Sequence, residues 1–155
     1  MLDREEIRRQ EQALDDLYRD IILEYYRNPR NRGSLPSPTV SREGQNPLCG
    51  DEVRLDLLVR EGVIEDATFD GKGCSISQAS ASMLTEAVRG LTLEEAERLY
   101  QRFHRLMTGD DSVELEELGD LEALSGVRRF PVRVKCATLA WHILDEAIKQ
   151  LRQSS

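Results

Sequence analysis

Three cysteines carry the chemical potential of this chain, because each sits among residues that would make a thiol reactive or metal-binding. The first lies in Cys49-Gly50-Asp51. In an extended segment, residues two apart project to the same side, so the Cys49 thiol and the Asp51 carboxylate can meet at one point. Gly50 between them lets the backbone come close to a bound group. The second lies in Gly71-Lys72-Gly73-Cys74. This stretch joins a strand pattern to a helix pattern, so Cys74 falls at or just before a helix N-terminus. The helix dipole and the free N–H groups there favour a thiolate, and Lys72 adds positive charge. The same glycines could form a phosphate loop, but the Gly-Lys-Ser/Thr ending of that motif is missing. The third lies in Arg133-Val134-Lys135-Cys136, which leads into the last helix. It places Cys136 near another helix N-terminus, between basic neighbours.

Taken singly, a buried cysteine is more often a small core residue than a reactive one, and Cys49 beside a solvated aspartate would be an ordinary loop. Three cysteines at element boundaries, two of them beside basic residues, argue against coincidence. Three thiolates and one carboxylate form a four-donor set for Zn²⁺. Soft sulfur suits zinc or an iron–sulfur cluster better than magnesium or calcium. The spacing lacks the Cys-x-x-Cys of a zinc finger, so the sequence leaves open whether positions 49, 74 and 136 converge. An aspartate in place of a fourth cysteine suits a site that opens to accept or transfer something. His104 and His142 read as surface or packing residues, and Trp141 reads as core.

The elements that must position these residues follow from periodicity. Leu14, Leu17, Tyr18, Ile21, Ile22 and Tyr25 recur at three- and four-residue steps and predict a helix over about 4–27. Asn28-Pro29 stops it, and Asn31–Pro47 reads as a loop. Val53, Leu55, Leu57 and Val59 alternate with polar residues and predict a half-buried strand. Glu61-Gly62 predicts a tight hairpin turn into a second strand over Val63–Asp70. Thr39–Glu43 is a weak third strand. Beyond Gly71 the pattern is helical. Small residues fill Ser75–Arg89, Gly90 stands as its terminator, and Thr92 with Glu95 forms a capping box. Leu115, Leu118, Leu121 and Leu124 predict a short helix within Gly109–Gly126, and the last helix is expected over Lys135–Arg152 after Pro131. The fold class is α+β: a small antiparallel sheet of about three strands, covered on one face by several helices. The whole chain, 1–155, reads as one domain, with residues 1–12 expected to be flexible.

The bulk numbers agree. A chain of 155 residues fits a single domain. A net charge of −8 argues against a nucleic-acid binder. No apolar run approaches the roughly 18 residues of a membrane span, and the charged N-terminus does not read as a secretory signal. These features point to the cytoplasm, where structural disulfides are disfavoured. The odd count of cysteines would leave one thiol unpaired in any case.

At four places the sequence resembles the IscU/SufU/NifU iron–sulfur assembly proteins. They are Tyr18 to Gly33 with its Asn28-Pro29-Arg30-Asn31-Arg32-Gly33 ending, Asn46-Pro47-Leu48-Cys49-Gly50-Asp51, Gly71-Lys72-Gly73-Cys74-Ser75-Ile76-Ser77, and Lys135-Cys136-Ala137-Thr138-Leu139. The resemblance covers nearly the whole chain. It implies a metal site at one end of the sheet, with Cys49, Asp51, Cys74 and Cys136 as ligands of zinc or of a [2Fe–2S] cluster. It implies as partners a pyridoxal-phosphate cysteine desulfurase and downstream iron–sulfur assembly or acceptor proteins. IscU-type chains carry a histidine before the third cysteine, where this chain has Lys135. They also carry a Leu-Pro-Pro-Val-Lys segment just before it, where this chain reads Phe130-Pro131-Val132-Arg133-Val134-Lys135. An extra segment, residues 108–127, precedes Cys136. All three departures resemble SufU, the zinc-dependent sulfur acceptor. On that reading Cys49 accepts sulfur and Arg133 contacts the persulfide or the partner. A cluster scaffold and a purely structural zinc domain are the alternatives.

Overall fold

The computed structural model describes residues 3–154. The first helix, α1 (Arg4–Arg27), is capped by the Asp3 side chain, which accepts the Glu6 N–H at 2.8 Å. Its first turns are exposed, and only Tyr18 and Ile22 are buried. Three strands follow: β1 (Val40–Asn46), β2 (Asp51–Arg60) and β3 (Val63–Lys72). They form an antiparallel meander in the order β1-β2-β3. The expected turn at Glu61-Gly62 is present, with both residues at positive φ, the pairing of a type I′ hairpin.

The weak third strand is real and longer than expected, because β1 runs on through Gly44 to Asn46 inside the stretch read as loop. Its sequence hides it. The core-facing position 44 is a glycine, so the alternation of apolar residues is missing. A Cβ at Gly44 would lie 3.0 Å from Ile143, so the glycine makes room for the last helix to pack on the strand.

Helix α2 (Ser75–Val88) is buried from Ser77 through Thr85. Its small side chains allow close approach, and Ser80 makes the seam specific. Its hydroxyl donates to the Ala137 carbonyl at 2.6 Å and accepts from Trp141 Nε1 at 3.1 Å. Helix α3 (Leu93–Met107) starts with the expected capping box of Thr92 and Glu95. Phe103 stacks on Trp141 at 4.7 Å, joining α3 to the core.

Leu115–Val127 is a run of 3₁₀ turns, broken at Gly119 (φ 57°). The leucines recur every three residues, which is the repeat of a 3₁₀ helix and not of an α-helix. Leu118, Leu121 and Leu124 are buried as expected. This segment lies against α1, where the Tyr18 and Tyr25 hydroxyls donate to Glu122 and Asp120 at 3.0 and 2.6 Å.

Helix α4 (Pro131–Gln153) begins four residues earlier than expected, with Pro131 in its first turn. A proline there loses no hydrogen bond and has the right φ. α2 and α4 cover one face of the sheet, and α1, α3 and the 3₁₀ turns pack outside them.

Candidate metal and sulfur site

Each site residue is held by a different kind of local structure. Cys49 lies in the four-residue turn Pro47–Gly50 that joins β1 to β2. The turn is closed by the Cys49 N–H donating to the Asn46 carbonyl at 3.2 Å. Gly50 has φ +69°, and nothing lies within 4 Å of where its Cβ would be. Asp51 opens β2 and is fully buried. Its Oδ1 accepts the Cys74 N–H at 2.9 Å. Cys74 is the N-cap residue of α2, as the sequence indicated, and its Sγ accepts the Ser77 N–H at 3.5 Å. Gly73 makes the contact with Asp51 possible, since a Cβ there would lie 2.4 Å from Asp51 Oδ1.

Cys136 differs from expectation. It lies more than one turn inside α4, not at its N-terminus, and it is fully buried. The dipole effect fades beyond the first turn, so the helix start does not activate this thiol. Burial, then its bonds to Cys49, Asp51 and Cys74, push the Cys136 thiol well above the ordinary thiol range.

The donor atoms of Cys49, Asp51 and Cys136 all lie within 4.8 Å of one another. The Cys136–Cys49 sulfur separation is 3.2 Å, far beyond the ~2.05 Å of a disulfide, and all three cysteines are free thiols. Cys74 stands one step outside this trio, with its Sγ 4.0 Å from Asp51 Oδ2. Arg133 is exposed on the first turn of α4 and faces the sulfurs. Negative charge at Cys74, then a bond to Cys136 and the charge there, raise its pKa above the ordinary value.

The set suits a cation. Atoms that share one ion through bonds of roughly 2.0–2.3 Å lie no more than about 4.6 Å apart, close to the spread seen here. A fully buried carboxylate also calls for a compensating charge. Exposed apolar side chains flank the site, namely Leu48 on the turn, and Phe130 and Val132 at the start of α4.

Residues 17–155 match the NifU-like N-terminal domain. The chain belongs to that family. Within the family it is 45% identical over 135 residues to the zinc-dependent sulfurtransferase SufU of Bacillus subtilis, covering 87% of this chain and 91% of that protein. It is 42% identical to the iron–sulfur cluster assembly scaffold protein IscU of Streptococcus pyogenes, with 88% and 86% covered. The N-terminal part of a NifU-like protein from Brucella abortus superposes with a TM-score of 0.82 at 26% identity, with 92% of this chain and 99% of that one covered.

One residue at this NifU-like site escaped the sequence reading. Asn46 is buried at the end of β1, with its Nδ2 3.8 Å from Cys136 Sγ. Its sequence signals are the Asn-Pro pair, a turn starter, and its place at the head of the Asn46–Asp51 motif; neither marks it as a contact of Cys136. The histidines lie elsewhere. His142 Nδ1 is 3.0 Å from the Tyr100 hydroxyl, and His104 stacks on Tyr100.

Proposed function

We propose that this chain is a zinc-dependent sulfur acceptor for iron–sulfur cluster assembly, taking sulfur from the persulfide of a pyridoxal-phosphate cysteine desulfurase. The observation that carries the reading is the contrast inside the cluster. Cys49, Asp51 and Cys136 share one point, yet only Cys49 is both partly exposed and carried on an open turn. The identity to the Bacillus sulfurtransferase supports it.

Zinc would be held by Cys49, Asp51, Cys74 and Cys136, and its chemistry there is to keep the thiols deprotonated and protected. The chain's own part is exchange at sulfur. Cys49 Sγ attacks the terminal sulfur of the donor persulfide, and the donor's S–S bond breaks. A new S–S bond forms on Cys49 and the donor cysteine leaves as thiolate, so charge balances with no proton transferred. No net oxidation occurs. Arg133, facing the sulfurs from solvent, steadies the anionic persulfide. Reduced thiols in this role fit the cytoplasm.

The scaffold reading rests on the 42% identity to a protein named for it, and the same four donors could hold a [2Fe–2S] cluster for transfer to acceptor proteins. Alanine release by a cysteine desulfurase, with and without the zinc-loaded protein and without added reductant, separates the two. A large saturable rise that disappears in Cys49→Ala is the expected result. No rise, together with a cluster formed anaerobically from iron and sulfide, would leave the scaffold reading in place.

A further inference from the structure

The three sulfurs of the site are not equally held. Cys74 Sγ accepts the Ser77 N–H at 3.5 Å. Cys136 Sγ receives the Asn46 side-chain amide at 3.8 Å. Cys49 Sγ receives no N–H donor among the described residues; its polar neighbour is the Cys136 thiol. An N–H bond to a thiolate stabilises its charge, so it favours the sulfur as a resting ligand and makes it a poorer nucleophile.

Asn46 is built into this asymmetry. It is only 7% exposed, and it pairs in register with Asp51 across the hairpin. Its carbonyl accepts the Cys49 N–H at 3.2 Å and its Oδ1 accepts the Leu48 N–H at 3.3 Å. Both acceptors of this residue therefore serve the turn, while its donor goes to the cysteine on α4. A buried side-chain amide is costly to leave unpaired, and here each end of it has a partner.

We propose that Asn46 is the positioning residue that selects which sulfur leaves the site. It holds Cys136 as a retained ligand and leaves Cys49, on the turn it closes, as the sulfur free to depart. This rests on the zinc-site reading above.

The test compares zinc-loaded wild type, Asn46→Asp and Asn46→Leu. Asp keeps the shape and the acceptor for the Leu48 N–H but lacks the donor. Leu lacks donor and acceptor without adding charge. Two quantities are read: zinc lost to a chromogenic chelator, and the rates at which iodoacetamide modifies Cys49 and Cys136, followed by peptide mass. In wild type Cys49 reacts at least about tenfold faster than Cys136. Both variants lose zinc about 10–100-fold faster, the usual effect of removing a partner of a ligand, and the preference for Cys49 falls to within about threefold.

Unchanged zinc loss with an unchanged preference overturns the inference. So does a variant in which both cysteines speed up equally while metal-free melting drops, since that is a loss of fold alone. If one variant does not fold, the other is read. Wild type that retains no zinc sinks the zinc-site reading and this inference with it, whereas zinc retained equally by all three proteins sinks the inference alone.

Discussion

Two connections approach the buried Asp51 carboxylate from opposite sides, and they are built on opposite terms. The β3–α2 connection is a wall. At Gly73 a Cβ would lie 2.4 Å from Asp51 Oδ1 and 2.9 Å from both Asp51 Cα and Ser77 Oγ, and φ is +149°. The β1–β2 turn is a door. Gly50 also has positive φ, yet a Cβ there would meet nothing within 4 Å. The wall carries Cys74, locked by its cap to α2, and the door carries Cys49. The proposed ligand set thus combines a half packed tightly against the core with a half that stands on a turn in open space.

The contrast can be broken most sharply at Gly73. Gly73→Ala adds a clash to backbone strain and should cost roughly 2–4 kcal/mol, lowering the melting temperature by about 5–15 °C. Calorimetry on the metal-free protein reads this, and an unchanged midpoint would mean that the wall yields.

Gly50→Ala tests the door. With open space around it, only left-handed strain remains, so the loss should be about 1 kcal/mol, a shift of about 2–4 °C. A cost matching that of Gly73→Ala would erase the distinction.

The smallest effect serves as a control outside both connections. The Tyr25 hydroxyl, bonded to Asp120, is pushed up to about 12, first by burial and then by that bond and charge. The folded state therefore keeps this proton where an unfolded tyrosine loses it. The stability it contributes is fully present below pH about 10 and is lost as pH rises toward about 12. Tyr25→Phe should flatten the unfolding midpoint between those values and leave zinc retention as in wild type. A change in zinc retention would tie the 3₁₀ segment to the site.

Much of this arrangement was legible in the residues, for reasons that differ by element. Cys74 could be placed at a helix start because a strand pattern, two glycines and a helix pattern meet there. β2 and β3 announced themselves by alternation around Glu61-Gly62. β1 showed only weakly, over Thr39–Glu43, since past the buried Val40 its core-side positions include Gly44 and Asn46, one without a side chain and the other polar. Cys136 lies inside a helix and not at its N-terminus because Pro131 opens α4, a position where proline is as compatible as it is before a helix. Convergence of positions 49, 51 and 136 was beyond periodicity. It depends on how α4 packs over β1, with Gly44 against Ile143, which no local pattern encodes, and there the family resemblance supplied what spacing could not.

The placement of Cys136 in the last helix also sets an order of events during synthesis. Cys49 and Cys136 are 87 residues apart. At ribosomal speeds of about 5–20 residues per second, roughly 4–17 s separate their appearance. During that interval the nascent chain carries Cys49, Asp51 and Cys74 with no α4 over the sheet and no third member of the trio. On the zinc-site reading, capture of the ion by all four donors therefore waits for α4, and a product cut short before it would display a thiol-bearing hairpin without the buried sulfur of Cys136.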